Sequence, residues 1–349
     1  MNHRWKVRPE GSTWGDWGAE DQLGRVNMIT PKKVLEGIAE VKEGISFCLS
    51  LPLNYPGGAL LTPARGPYTL RPTELPDGSK RYLYPAQLDD PHFTDVGNDD
   101  RVDLVLQYST QWDTFAHVGS MFDADGDGVP EIRFYNGYKG HEDVKGPVRY
   151  NLDGTIEETG EQTGARKLGI ENMAVKGMQG RGVLVDLERH FGKERHYVGY
   201  DDWMRALETT NVEVTPGDML LIYTGFADYI MEAEGDPDQH TLHNSYAVLN
   251  GRDRRLQQWI ADSGISVICA DNFAVEGIPS RPAIAEKYAR LPLHELCLFK
   301  LGVNIGELWY LSELAAWLKA NNRTRFLLTA PPLRLTGAVG SPATPIATV

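Results

Sequence analysis

Gln107-Tyr108-Ser109-Thr110-Gln111-Trp112-Asp113-Thr114-Phe115-Ala116-His117 is the stretch from which the rest of the chain is read. Its groups with metal or acid–base chemistry fall on odd numbers: Gln107, Ser109, Gln111, Asp113 and His117. Leu106, Tyr108, Thr110 and Trp112 occupy even ones. Successive side chains of an extended chain point to opposite faces. The spacing therefore predicts a strand, starting near Val102, with a row of oxygen and nitrogen donors on one face and a core-facing row on the other. Asp113 and His117 suit a divalent cation and are common acid–base groups. The amides of Gln107 and Gln111 can bind a cation but bring no charge. On these residues alone, the alternative is a polar strand whose amides are hydrogen-bonded.

Working outward, 349 residues are enough for one large domain or two ordinary ones, and 41% hydrophobic with 24% charged residues is ordinary for a soluble globular protein. The net charge of −13 argues against nucleic acid and anionic membranes as partners, since both are polyanions. It also means that an anionic substrate needs a local group of Arg, Lys or metal. Three widely spaced cysteines, Cys48, Cys269 and Cys297, make neither a disulfide framework nor a zinc ribbon. Met1–Val7 has no apolar signal region and no apolar run is long enough to span a bilayer, so a cytoplasmic protein is expected.

Thr30-Pro31 reads as a helix start, with apolar residues at helical spacing to Lys42. Ile45–Leu51 reads as a strand. Residues 54–101 show no period and are expected to form ordered loops and short strands near a site or a partner. Three apolar runs, Gly180–Leu187, Met219–Thr224 and Ile265–Ala270, read as buried strands. Val303–Leu308 and Phe326–Ala330 are further strands, the latter last before a Pro-rich tail. Tyr200–Thr209, Tyr246–Ala261, His294–Leu301 and Leu311–Lys319 read as helices. Strands alternating with helices give an α/β fold with a mixed β-sheet core flanked by helices. No repeat or linker divides residues 1–349, so a single domain is expected.

Asp123, Asp125, Asp127 and Gly128 match the opening of a calcium loop, but the twelfth position is Phe134 where a Glu is required. The expected structure is an acidic hairpin turn rather than a calcium site. No Gly-x-Ser-x-Gly elbow is present, which argues against a serine hydrolase.

The stretch resembles the signature His-x-Gly-Thr-His-x-Asp-x-Pro-x-His of the cyclase family of metal-dependent hydrolases, which includes bacterial kynurenine formamidases and isatin hydrolases. Thr110, Asp113 and His117 match. Gln stands for His at 107 and 111, Ser for Gly at 109, and Phe for Pro at 115. The resemblance continues in Trp14-Gly-Asp-Trp-Gly with Asp21, Gly24 and Asn27. It runs on through Gly180–Asp186, Gly217–Gly225, and His294 with Gly302 and Glu307, and ends in Gly337–Ala343. It implies a swivelling β/α/β fold of the kynurenine formamidase type and a centre binding Zn²⁺ or Mn²⁺. Gln107, Gln111, Asp113, His117, His294 and Glu307 are the ligand positions, with His117, His294 and Glu307 as catalytic groups. The two Gln leave open whether the ion sits with Asp113 or shifts toward His117, His294 and Glu307, a set suited to zinc. The implied reaction is hydrolysis of a small amide or lactone by metal-activated water. The trans-dienelactone hydrolases of aromatic catabolism are similar, and a catalytically inactive binding protein is the alternative from another class. The family's habit implies a homodimer or homotetramer.

Trp112 and Arg281 are candidates for the substrate side, Arg281 through its planar fork on a carboxylate, with a surface arginine as the favoured alternative. Asp271, Asn272 and Glu276 follow a strand end, where α/β sites lie. His3, His92, His141, His190, His196, His240 and His243 lie in polar stretches and are expected to be surface or loop residues.

Overall fold

The apolar runs predicted as strands lie side by side at the centre of one mixed sheet. In this computed structural model, which describes residues 4–349 and leaves His3 outside, nine strands make up that sheet. They are β1 (Ser46–Cys48), β2 (Gln111–Asp113), β3 (Gln179–Asp186), β4 (Met219–Tyr223), β5 (Val267–Ala270), β6 (Asn304–Glu307), β7 (Arg325–Thr329), β8 (Gly340–Pro342) and β9 (Ile346–Thr348). Their spatial order is β1-β9-β7-β3-β4-β5-β6-β2-β8. The three junctions from β3 to β6 are parallel, and those outside them are antiparallel. Parallel strands are covered on both faces, which is why β3 to β5 read as continuous apolar runs.

The sheet divides two cores. Val183, Val185, Leu220, Ile222, Ile268 and Ile305 face one. Leu184, Met219, Leu221, Val267 and Cys269 face the other. Helices α1 (Pro31–Ile38), α2 (Glu171–Lys176), α3 (Tyr200–Thr209), α4 (Phe226–Glu232), α5 (Arg254–Ser263) and α6 (Ser312–Ala320) flank it. Trp203 and Leu256 carry α3 and α5 onto the first core. Met173 and Leu314 carry α2 and α6 onto the second. Helix α1 is capped by Thr30, whose side chain accepts from the Lys33 amide. It lies so close to β3 that a Cβ on Gly37 would stand 2.8 Å from the Gly180 carbonyl carbon.

Several elements differ from expectation. The predicted strand from Val102 onward is broken. Asp100–Asp103 pairs with Thr69–Pro72 in a separate ribbon, residues 104–110 turn, and only Gln111–Asp113 joins the sheet. Helix α1 ends at Ile38, short of Lys42. The predicted helix over 246–261 splits. Ala247–Leu249 is a strand paired with His196–Val198, and α5 starts only after Asp253, whose side chain accepts from the Arg255 and Leu256 amides. The Pro-rich tail supplies two strands. Pro342 sits in β8, one of the two edge strands, where a missing N–H costs least. Residues 54–101 are loops and short ribbons, as expected from their composition. The acidic stretch does form a hairpin connection, between Ser120–Phe122 and Glu131–Arg133. Among the described residues no helix is long and apolar enough to cross a membrane.

Candidate metal centre

Strands β2 and β6 bring the first members of the cluster together. In their antiparallel register Gln111 lies opposite Glu307, and Asp113 opposite Ile305. Directly opposed residues share a face, so Gln111, Asp113 and Glu307 all project to one side. Gln111 Nε2 donates to Glu307 Oε2 at 3.1 Å and to Asp113 Oδ1 at 3.4 Å. The other face of β2 carries Trp112, whose ring meets Trp309 edge-on at 5.0 Å.

A second pair of elements supplies the imidazole. The helical turn Pro292–His294 continues into Glu295–Leu301, wound as a π-helix and ended by Gly302 at φ 60°. Its end carries His294, whose Nε2 lies 3.2 Å from Glu307 Oε1 and whose Nδ1 lies 2.9 Å from Glu276 Oε1. The same Glu276 oxygen accepts from the backbone amides of Leu293 and His294, each at 2.9 Å. Glu276 follows Ala274 at φ 77° and Val275 at φ 61°, and Leu308 at φ 57° directly follows Glu307. Left-handed backbone at a β-branched residue is strained, and such strain persists only where the surroundings impose it. Gly251 makes room for Glu276: a Cβ there would stand 2.3 Å from Oε2.

Ligand atoms of Asp113, His294 and Glu307 all lie within 4.8 Å of one another, and all three residues are buried. Burial pushes the Asp113 carboxyl up, against the pull of His117, and the Glu307 charge adds to the rise. Burial pushes Glu307 the same way, but the hydrogen bond and charge of His294 outweigh it and hold that carboxyl below its ordinary range. Burial alone would lower His294. Its bonds to Glu276 and Glu307 win, and its pKa rises to about 10. Asp113 Oδ2, Gln111 Oε1 and Glu276 Oε2 are buried without a hydrogen-bond partner. A buried polar oxygen left unpaired costs on the order of 1–3 kcal/mol, a cost that a cation among Asp113, His294 and Glu307 would relieve at Asp113 and Gln111. Glu276 Oε2 lies on the Nδ1 side of the imidazole, against Gly251.

The other expected positions fall into two groups. His117 stands at the rim, its side chain 20% exposed and its Nε2 3.9 Å from Asp113 Oδ2. Gln107 lies in the turn before β2. Its Nε2 is buried without a partner, against Gly340 of β8 rather than among the carboxylates. Trp112 is not at the substrate's side: it is fully buried in the second core, its Nε1 donating to the Ala330 carbonyl. Arg281 is exposed, with its guanidinium stacked 4.2 Å over Tyr197. Asp271 binds the amides of Thr224, Gly225 and Phe226 at the start of α4, and Asn272 Nδ2 donates to the Ala247 carbonyl. Of the three residues past β5, Glu276 alone touches the cluster. Sequence reading missed Arg65. Its Nη1 donates to the Gln107 carbonyl at 2.8 Å, and its charge is felt at both Asp113 and Glu307.

Comparison with known proteins follows from this geometry. The Cyclase family model matches residues 49–277, a span that contains β2 and Glu276. A crystal structure of a novel cyclase is similar over 98% of this chain and 100% of its own, at 29% identity and a TM-score of 0.71. An isatin hydrolase bound to the product analogue thioisatinate is similar over 92% of this chain and 99% of its own, at 13% identity and a TM-score of 0.54. Isatin hydrolase A from Labrenzia aggregata, bound to benzyl benzoate, covers 90% and 97% at 11% identity and a TM-score of 0.53. These last two likenesses concern the fold alone. No curated protein sequence matches the chain.

Proposed function

The chain belongs to the cyclase family, and from that premise we propose that it is a metal-dependent hydrolase that opens a small amide or lactone with an activated water. The observation that carries this reading is the buried Asp113, His294 and Glu307 group, together with the unpartnered oxygens of Asp113 and Gln111 beside it. Two carboxylates and one imidazole suit Zn²⁺ or Mn²⁺. Bound there, the cation supplies Lewis acidity and lowers the pKa of a water.

The chain's own groups do the rest. Glu276, bonded to Nδ1, orients the imidazole so that Nε2 faces the cluster. Gln111 holds Glu307 in place through its amide nitrogen. His117, partly exposed and with its Nε2 3.9 Å from Asp113 Oδ2, carries a proton to the leaving nitrogen or oxygen in this reading. Trp112 and Trp309 back the site on the far face of β2 and take no part in it. The structures similar in fold include isatin hydrolases, which supports a hydrolytic reading. Lactone opening of the trans-dienelactone type belongs within the same proposal. So does a homo-oligomer, in which apolar side chains exposed on the 54–105 segment, such as Leu83 and Leu88, would be covered.

A second reading has its own support: His294 already bonds two carboxylates, and two ligand positions carry Gln, so the fold could serve as a metal-free binding protein. Elemental analysis of purified protein separates the two, combined with a hydrolysis screen of formamides, cyclic amides and lactones. Stoichiometric zinc or manganese and turnover are expected. A protein that takes up neither metal and cleaves nothing is the binding protein instead.

A further inference from the structure

We propose that Arg65 recognises a carboxylate on the substrate, so that the site acts on anionic amides or lactones in preference to neutral ones. This deepens the hydrolase reading and rests on the same site. The segment before β2 turns at Thr62, whose carbonyl accepts the Arg65 amide, and sends the side chain back toward the turn that precedes the strand. There Nη1 is fixed on the Gln107 carbonyl at 2.8 Å. The half-buried guanidinium has no ion-pair partner among the described residues, although its charge reaches both Asp113 and Glu307.

That placement is unlike a structural ion pair. An arginine whose task is to neutralise Asp113 or Glu307 would sit on them, as Arg181 sits on Asp218 at 2.8 Å. Here Gln111 and His294 already bond the carboxylates, and Arg65 stands back from both. One edge of its fork is committed to a carbonyl, and the remaining N–H groups can meet a carboxylate through two hydrogen bonds. Local charge favours the same conclusion. Asp113, Glu307 and Glu276 bring three carboxylates around one imidazole. A divalent cation offsets two of them, and an approaching anion would still meet excess negative charge in a protein of net charge −13. Arg65, beside the turn that precedes β2, supplies a positive charge that reaches the cluster.

The test uses matched pairs: the 2-, 3- and 4-carbamoylbenzoates against the corresponding methylbenzamides, which replace the carboxylate by a methyl group. Dissociation constants are measured by calorimetry or ligand-observed NMR on chelator-treated and zinc-loaded protein. In the zinc-loaded protein, where the cation offsets two of the three carboxylates, at least one acid is expected to bind more tightly than its neutral partner, on the order of 10- to 100-fold. Arg65→Ala removes that preference, with an unchanged circular dichroism spectrum and cooperative thermal unfolding as the folding control. Arg65→Lys keeps part of it, because the charge survives and the fork does not. Equal binding within every pair, no binding of any acid, or a preference undiminished in Arg65→Ala overturns the proposal. A preference that appears only with zinc and ignores Arg65→Ala makes the metal the anion receptor: the inference falls and the hydrolase reading stands. An Arg65-dependent preference in a protein that takes up no metal does the reverse.

Discussion

Among the described residues two clusters place three ligand atoms within 4.8 Å of one another: the buried Asp113, His294 and Glu307, and the surface turn of Asp123, Asp125 and Asp127. On composition the turn looks better, with three carboxylates and a partial calcium-loop spacing. The surroundings reverse that order. In the turn Asp123 Oδ1 accepts from Gly126 N at 2.7 Å and Oδ2 from Gly128 N at 2.8 Å, while Asp127 Oδ1 accepts from Val129 N at 2.8 Å. The amides of Gly128, Gly126 and Asp127, Gly128 first, hold the Asp123 carboxyl below its ordinary range. Water serves whatever remains. In the buried cluster Asp113 Oδ2 and Gln111 Oε1 have no hydrogen-bond partner in the protein, and burial drives Asp113 the opposite way. A need for a cation is therefore legible in unpaired buried oxygens more than in the number of carboxylates.

The largest effect that sharpens this contrast comes from Asp113→Ala. Removing one of two carboxylates at the centre is expected to lower turnover about a thousandfold or more, roughly 4 kcal/mol of transition-state stabilisation, and to empty the site of stoichiometric metal. Asp125→Ala changes neither. Metal retained at full occupancy in Asp113→Ala, with activity to match, would place the ion elsewhere and break the comparison.

A smaller effect follows from His294. In metal-free protein its pKa is raised from 6.5 to about 10 by Glu276 and Glu307. A cation needs the unprotonated nitrogen, so binding releases that proton. Apparent zinc or manganese affinity should rise about tenfold per pH unit between pH 7 and 10 and flatten above that. The same raised pKa fixes the sign for stability. The contribution of His294 is complete below about pH 6.5 and is lost as pH rises through about 10. Denaturation midpoints of chelator-treated protein should therefore fall between pH 7 and 10, while those of metal-loaded protein do not follow. Calorimetry in buffers of different ionisation enthalpy counts the proton. An affinity already flat above pH 7 would mean that Glu276 and Glu307 do not hold it.

How much of this the chain announces depends on whether a residue's role is local. Strands β3, β4 and β5 are legible because both their faces are buried, so each is an apolar run in its own right. Asp113, His294 and Glu307 are legible through the resemblance, being the residue types that the chemistry needs. The alternating pattern from Gln107 to Asp113 misled over half its length, because Tyr108, whose hydroxyl donates to the Gly58 carbonyl, and Ser109 serve a turn rather than a strand. The start of α5 was missed although Asp253 is an ordinary N-cap, since the apolar residues of Ala247–Leu249 ran into the helical pattern ahead of it. Trp112 falls on the core-facing row of the alternation and is buried there, so its expected place at the substrate conflicted with the pattern, and the structure follows the pattern. Arg65 has no local signal at all. Its position follows from a carbonyl 42 residues away, in a segment without periodicity. Glu276 is intermediate: its place after β5 marked it, but its contact with His294 depends on two left-handed residues that no spacing rule foresees.

The smallest expected effect is the one that could most cheaply undo the comparison. Asp125 makes one long bond in the turn, its Oδ1 to the Asp127 amide at 3.3 Å. Asp125→Asn gives up little of that bond and removes one of three adjacent negative charges, two changes of opposite sign. The net should lie within about 0.5 kcal/mol, which for a chain of this size moves the thermal midpoint by no more than about 2 °C. Millimolar calcium should likewise leave the wild-type midpoint where it was, because these carboxylates are already served by backbone amides and water. A calcium-dependent rise of several degrees that Asp125→Asn abolishes would show that the turn's own amides do not compete with an ion. Burial with unpaired oxygens would then be sufficient for a metal centre in this protein, but not necessary.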